Sequence, residues 1–224
     1  LVCFLMVTAF RLGEIVRHTS GEIMYLTRES LTWRINGRVI AEPTEAELDS
    51  MVIGRDRAEV APPRSKPDQW GETHCPFAVP LVLGPEPENA ARWLREIERR
   101  APCSGASRRT TPLFCDAREQ PYTHAVLDAL LKFVLTYLYG AAAASLYSWH
   151  SFRVGLATAL HAAGVPDAMI QLICRWMCPE SLHIYRRVGT AEHTVNLQAA
   201  SRASIDVLQS ANVPRVTADD GFHW

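Results

Sequence analysis

The chain has 224 residues, of which 48% are hydrophobic, and this is enough to bury the core of one substantial domain. Its formal net charge of −1 counts against nucleic-acid binding, because phosphate-binding surfaces are usually basic. The six cysteines lack the density and spacing of a secreted disulfide scaffold, so we expect a reducing compartment. Arginines crowd residues 92–109, where a solvated helix face explains them about as well as a DNA groove does.

The apolar start of the chain, LVCFLMVTAF, is too short to cross a bilayer, which takes about 20 helical residues. It also has no basic leader or cleavage site. Since residue 1 is Leu and lies within periodic apolar sequence, we expect that the chain was cut from a longer protein with an upstream domain. The helical spacing of apolar residues predicts a helix over residues 2–18, with Arg11 and Glu14 one turn apart.

Short β-like runs follow in TRESLTWRI, GRVIAE and FAVPLVL. They predict a small antiparallel sheet, with Lys66 on or near a turn in the proline-rich stretch before the last of these runs. Pro85, Pro87 and Asn89 indicate the start of a helix through AARWLREIERR. The segment PCSGASRRT then predicts a loop, and PLFCD a short extended segment.

The second half of the chain is predicted to be helical. A long apolar-faced helix, HAVLDALLKFVLTYLYG, should end at Gly140. A second helix should run from a Ser148 cap to Gly164. Three further helices are expected, starting at Pro166–Asp167, after Pro179, and over about residues 191–210. The predicted fold class is therefore α+β and mainly α: one helical domain over residues 1–210 with a small antiparallel sheet, followed by a short polar tail over residues 211–224.

Residues with chemical potential recur in a fixed order along the chain. Tyr185 stands nine residues after Trp176, and His150 and Arg153 form a His-x-x-Arg pair upstream of both. Closer to the N-terminus, an acidic residue follows an arginine by three positions (Arg11 and Glu14), and the candidate hairpin contributes Lys66. This order resembles the signature of the catalytic domain of tyrosine recombinases, the phage integrase family. In that family Trp is a known alternative to His before the nucleophile.

The resemblance implies the DNA breaking-rejoining enzyme fold and site-specific recombination or integration of double-stranded DNA through a covalent 3′-phosphotyrosyl intermediate. It implies self-association into a synaptic tetramer, an upstream DNA-clamp domain, and no cofactor, metal, small-molecule substrate or membrane partner. The style of SWHSFRVGLATALHAAG is more like eukaryotic mobile-element recombinases than bacterial chromosome-dimer resolvases. An intracellular protein is therefore expected, nuclear if eukaryotic and otherwise cytoplasmic.

The residue types suit this chemistry for physical reasons. Breaking a phosphodiester without a metal needs a nucleophile, hydrogen-bond donors to the phosphate oxygens and an acid for the departing oxygen. Tyr185 supplies the nucleophile, Arg11 and Arg153 supply planar guanidinium forks, and His150 can move protons near neutral pH. The resemblance implies the remaining roles: Lys66 is the acid, Trp176 offers one indole donor, and Glu14 orients its neighbours.

Other interpretations remain open. Taken one by one, these residues are more often a packed tyrosine, a core histidine or tryptophan, surface arginines and a solvated lysine. A type IB topoisomerase would share the chemistry without exchanging partners, and a descendant that has lost catalysis would be a DNA-binding or helix-mediated interaction protein. Cys174, Cys178 and His183 could suggest a zinc site, although such sites usually need a second ligand pair.

Overall fold

The computed structural model describes residues 1–17, 25–63, 78–175 and 190–202. Within these ranges the helices are α1 Val2–Thr8, α2 Glu45–Asp49, α3 Ala90–Arg100, α4 His124–Ala144, α5 His150–Ala162, α6 Asp167–Ile173 and α7 Thr190–Arg202. The strands are β1 Leu31–Ile35, β2 Arg38–Ile40, β3 Arg57–Val60 and β4 Val79–Val82. The expected α+β class, mainly helical with a small antiparallel sheet, is confirmed.

The sheet is antiparallel throughout, with strand order β2-β1-β3-β4. Its first hairpin turns at Asn36 and Gly37, which both have positive φ (50° and 79°), as a two-residue turn between twisted strands requires. The sequence did not predict β3, because its RAEV run carries charge. In the sheet, Glu59 accepts hydrogen bonds from Arg34 Nε at 3.0 Å and Arg57 Nε at 2.8 Å. The charged residues therefore pair with one another across and along the strands.

The predicted helix over residues 2–18 is wrong beyond its first half. Helix α1 ends at Thr8, and Ala9 takes the left-handed conformation at φ 52°. A single 3₁₀ turn, Leu12–Glu14, follows. The apolar spacing continues past the break because Leu12, Ile15 and Val16 stay buried in the same core, so spacing alone could not reveal where the helix stops.

The later helices agree more closely with prediction. Asn89 caps α3 by accepting a hydrogen bond from Arg92 N at 3.0 Å, and Gly164, at φ 76°, closes the turn after α5. Helix α4 extends to Ala144, although Gly140 itself is non-helical (φ 82°), and α5 is preceded by Trp149 at the capping position expected for Ser148. Helix α7 agrees with the predicted last helix as far as Arg202. The helix expected after Pro179 and the tail lie outside the described residues.

One hydrophobic core joins the beginning and the end of the described chain. Helix α1 packs on α5, α5 packs on α7, and α7 packs on β4. Phe4, Phe10, Trp33, Leu156 and Leu160 are all buried in this core. The packing brings the C-terminal end of α1 against α5 and the end of α6, where the candidate site is found.

Candidate functional site

A buried carboxylate, Glu14, organises the candidate site. Arg175 donates to both of its oxygens, from Nη1 to Oε1 at 3.0 Å and from Nη2 to Oε2 at 2.8 Å. Both residues are about 5% exposed or less, so this is a fully enclosed, two-point ion pair. The guanidinium of Arg175 also lies 4.3 Å from the ring centroid of Phe10. Residues 161 positions apart are thus locked together by charge, two hydrogen bonds and an aromatic contact.

Arg11 approaches the same carboxylate from the other side. Its backbone N–H donates to Glu14 Oε2 at 2.6 Å, and its Nη1 lies 3.8 Å from Oε1. The Arg11 side chain is 30% exposed, whereas that of Glu14 is 5% exposed. The 3₁₀ turn after the α1 break creates this arrangement, since it places Glu14 one tight turn after Arg11. Of the residues around Glu14, Arg11 is therefore the cation that solvent can reach.

Arg153 connects two helix ends. Its Nη1 donates to Ala9 O at 2.5 Å, and its Nη2 donates to Cys174 O at 2.6 Å. Ala9 and Cys174 are the C-caps of α1 and α6, so both acceptors are at the partially negative end of a helix. Ala9 O also accepts from Arg175 Nη2 at 3.2 Å. The two bonds of Arg153 use two of the five N–H donors of a guanidinium and hold α1, α5 and α6 together.

The pKa values of the site residues reflect this crowding of positive charge. Burial, with the nearby charges of Arg11 and Arg175, lowers the pKa of Arg153 to about 10. Burial opposes ionisation of Glu14, but the charge of Arg175 and the contacts of Arg11 outweigh it and lower the pKa of that carboxyl below its usual value. Burial first, and then Arg153 and Arg11, lower the pKa of His150. Glu14 is thus ionised and His150 neutral at pH 7.

Four of the seven predicted site residues lie in or beside this cluster, and the other three lie outside the described residues. Arg11, Glu14 and Arg153 belong to one cluster, and His150, one helical turn before Arg153 on α5, feels the charge of both arginines. Lys66, Trp176 and Tyr185 lie outside the described residues, so their roles stay predictions. In the described part of the chain, Arg11 and Arg175 contact the carboxylate of Glu14, and a third guanidinium, that of Arg153, lies close enough for the charges of Arg11 and Arg175 to lower its pKa.

The sequence did not predict a role for Arg175. It stands in CRW, directly before Trp176, and is one of several arginines near the end of the chain. The only signal in the sequence is indirect: a lone acidic residue, Glu14, follows a motif arginine and requires a partner if it is buried. The left-handed backbone of Arg175, at φ 52°, ends α6 and turns the side chain towards Glu14.

A metal-binding interpretation gains no support from the described residues. They contain no group of three or more His, Cys, Asp or Glu side chains suited to a metal. Burial raises the pKa of the Cys174 thiol to about 11, against the opposing effect of Arg153 and Arg175, whereas a metal ligand is a thiolate. Cys178 and His183, the other residues of the zinc interpretation, lie outside the described residues.

Comparison with known proteins does not assign the chain to a family. No protein-family model matches it, and no curated protein or solved structure shows significant similarity to it.

Proposed function

We propose that this chain cuts and rejoins DNA through Tyr185, as the catalytic domain of a tyrosine recombinase or a close relative. The observation that carries the proposal is the excess of arginine charge around Glu14, next to a neutral histidine. This cluster gathers Arg11, His150 and Arg153 from distant parts of the chain. These are three of the residues that the motif order selects.

Excess buried positive charge favours an anionic ligand. Taking a guanidinium out of water is costly unless an opposite charge compensates it, and the acceptors of the buried Arg153 are neutral carbonyls. A phosphodiester supplies the missing negative charge, and the charge on its oxygens is more crowded in the transition state of transfer. The 30% exposure of Arg11 gives such a group a way in from solvent.

His150 is suited to accept a proton. It begins α5, and its lowered pKa keeps the imidazole neutral at pH 7, so that a ring nitrogen can accept a proton. A tyrosine hydroxyl has a pKa of about 10 and needs such a base to become an effective nucleophile. The role that we propose for His150 is to take this proton from Tyr185.

The anchoring of Arg175 supports the assignment of Trp176 and Tyr185 to the same site. Arg175 is fixed to Glu14 inside the cluster, and Trp176 follows it directly in the sequence. The segment that carries both predicted residues therefore begins at the cluster. Tyr185 is nine residues further on, a distance that a helix or a turn can fold back over.

In the proposed reaction, the Tyr185 oxygen attacks the phosphorus while the bond from phosphorus to the 5′ oxygen breaks. The product is a 3′-phosphotyrosyl ester and a free 5′ hydroxyl, which takes its proton from Lys66. A second 5′ hydroxyl then attacks the ester and releases Tyr185. The ester keeps the bond energy, so no nucleotide cofactor is needed.

The decisive experiment incubates the protein with nicked suicide DNA substrates and looks for a covalent adduct on denaturing gels. We expect an adduct with the wild type and with Tyr147→Phe, a matched exposed tyrosine, and none with Tyr185→Phe. An adduct that persists in Tyr185→Phe would refute the proposal, and the absence of any wild-type adduct would favour an inactive DNA-binding descendant. Relaxation of supercoiled plasmid without recombinant product would point to the topoisomerase alternative.

A further inference from the structure

Helix α4 exposes an apolar surface that nothing in the described structure covers. Its inner side packs on the core through Leu127, which is fully buried, and Leu131, which is partly buried. Its outer side carries what we call the α4 stripe: Val126, Leu130, Phe133, Val134 and Tyr137, with exposures of 52%, 51%, 70%, 41% and 83%. An apolar surface of this kind on a folded domain is usually a binding site.

The spacing of the α4 stripe is that of a helix pairing seam. Val126, Leu130, Phe133 and Tyr137 follow one another at intervals of four, three and four residues, the pattern that forms the contact line between paired helices. At about 100° per residue, Asp128 lies on the opposite side of the helix, whereas Lys132 borders the stripe. The stripe itself is free of charge, so it does not suit a polyanion such as DNA.

The fold argues against α4 being a transmembrane helix. By length and composition α4 is the one helix of the described chain that could cross a bilayer. A crossing there would place the chain before α4 and the chain after it on opposite sides of the membrane. However, α1 packs on α5 and β4 packs on α7, so both halves belong to one core.

We propose that the α4 stripe is a self-association surface, on which α4 of a second copy of this chain packs in antiparallel orientation. Such a pair has twofold symmetry, so each surface must complement itself. Centring it between Leu130 and Phe133 sets Leu130 against Phe133 of the other copy, and Val126 against Tyr137. The large aromatic half of each stripe then packs on the small aliphatic half of its partner.

The shape and size of the surface fit this partner. Ala129, Thr136 and Lys132 line a shallow groove beside Phe133 and Tyr137, where a side chain of the second helix can insert. Aromatic side chains bury roughly 150–250 Å² each, so the exposed parts of the five stripe residues offer on the order of 600 Å². This is one partner's share at the lower end of specific interfaces, which bury about 1,200 Å² in total. The inference is independent of the proposed DNA chemistry, because it requires neither DNA nor Tyr185.

The test is sedimentation equilibrium of the protein without DNA. We expect a dimer that Phe133→Glu weakens at least about 30-fold, since a buried charge replaces a central aromatic contact. The matched control Tyr139→Glu replaces an exposed aromatic side chain by the same charge on the side of α4 away from the stripe, and it should leave the dimer constant unchanged. Circular dichroism of each variant should match the wild type, which separates loss of pairing from loss of folding.

A second measurement checks the orientation. Variants Val126→Cys and Tyr137→Cys, mixed and mildly oxidised, should form the mixed disulfide in preference to either symmetric one. The proposal would be overturned if the wild type stayed monomeric over a 100-fold range of protein concentration on either side of that used in gel filtration. It would also be overturned by a dimer that Phe133→Glu does not weaken. Binding of the monomer to phosphatidylcholine vesicles through the stripe would overturn it as well, since lipid would then be its occupant.

Discussion

In the part of the chain that the structure describes, arginines are buried around the carboxylates of Glu98 and Glu14, and these two places differ in charge balance and in access to solvent. At the first, Arg108 donates to both oxygens of Glu98, at 3.0 and 3.3 Å, and Arg28 Nη1 lies 3.4 Å from Oε1. Arg28 Nη2 also donates to the carbonyl of Ala101, the C-cap of α3, at 3.0 Å, and the three side chains are 3–4% exposed. We call this set the Glu98 cluster, and it is closed to solvent.

The Glu14 cluster is made of Arg11, Glu14, Arg153 and Arg175. As in the Glu98 cluster, one carboxylate lies among guanidiniums, and an arginine donates to helix-end carbonyls, here those of Ala9 and Cys174. It has one more arginine than the Glu98 cluster, and its Arg11 is 30% exposed.

The comparison shows how one structural device can serve two purposes. A carboxylate and helix-end carbonyls hold buried arginines in both clusters, which stabilises the contacts between segments. In the Glu98 cluster, these acceptors meet two cations in a space that is closed to solvent, so an external anion cannot reach them. In the Glu14 cluster, a third cation, an opening to solvent and a neighbouring neutral histidine are suited to an incoming anion. We therefore interpret the first as structural and propose the second as the candidate site.

The largest expected effect comes from removing the buried carboxylate that each cluster contains. Replacing Glu14 or Glu98 by Gln removes the charge that compensates buried guanidiniums, so each variant should lose about 3–5 kcal/mol of unfolding free energy. Urea denaturation followed by circular dichroism measures this loss. Glu96→Gln, which breaks the exposed pair with Arg100, serves as the control and should unfold like the wild type. Wild-type stability in Glu14→Gln would show that Glu14 does not hold the cluster together.

The same carboxyl gives stability a pH dependence. The pKa of Glu14 is lower in the folded chain than in the unfolded one, where it is about 4.3. Its contribution is therefore present above that pH and is lost as the pH falls through the lowered folded pKa. The Glu14→Gln variant should lack this part of the acid destabilisation.

The next effect separates the clusters by function. Arg11→Ala should slow formation of the covalent DNA adduct by about 10²–10³-fold, the usual loss for a donor to a developing negative charge. Its stability should change little, because the hydrogen bond to Glu14 comes from the Arg11 backbone. The matched control is Arg109→Ala, an exposed arginine paired with Glu29, which should leave the rate unchanged. Equal rates for both variants would remove Arg11 from the proposed site.

The sequence predicted the local parts of this molecule well. The helix start at Asn89 and the helix end at Gly164 each depend on residues close in sequence whose backbone preferences are strong. The end of α1 at Thr8 was not predictable, because an alanine in left-handed conformation carries no such signature.

In the candidate site, too, some residues were predictable from the sequence and others were not. Motif order pointed to Arg11, His150 and Arg153, and the structure brings them together. Arg175 was missed because its importance comes from a contact with Glu14, 161 positions away. Likewise, nothing local distinguishes the closed Glu98 cluster from the Glu14 cluster. That difference depends on how many cations share a carboxylate, which only tertiary packing decides.

A smaller effect tests the demand for an anion directly. If the Glu14 cluster binds phosphate, inorganic phosphate at ten times its dissociation constant should stabilise the fold by about 1.4 kcal/mol. Thermal unfolding at constant ionic strength, with chloride replaced by millimolar phosphate, measures this. The shift should vanish in Arg11→Ala and persist in Arg109→Ala. Equal shifts in both variants would mean that phosphate acts on the whole surface and not on this cluster.

The smallest effect concerns the pH dependence of the rate, at about tenfold per pH unit. Burial and the charges of Arg153 and Arg11 lower the pKa of His150 below its ordinary value of about 6.5. A base acts only when it is neutral, so adduct formation should fall as the pH drops through this lowered pKa and should be flat just above it. His150→Gln should abolish this acid limb, whereas the exposed His161→Gln should keep it. An acid limb centred above 6.5 would contradict the role of the arginines, because they are the charges that push the proton off His150. A limb retained in His150→Gln would instead assign the proton transfer to a different group and leave the Glu14 cluster as an anion site alone.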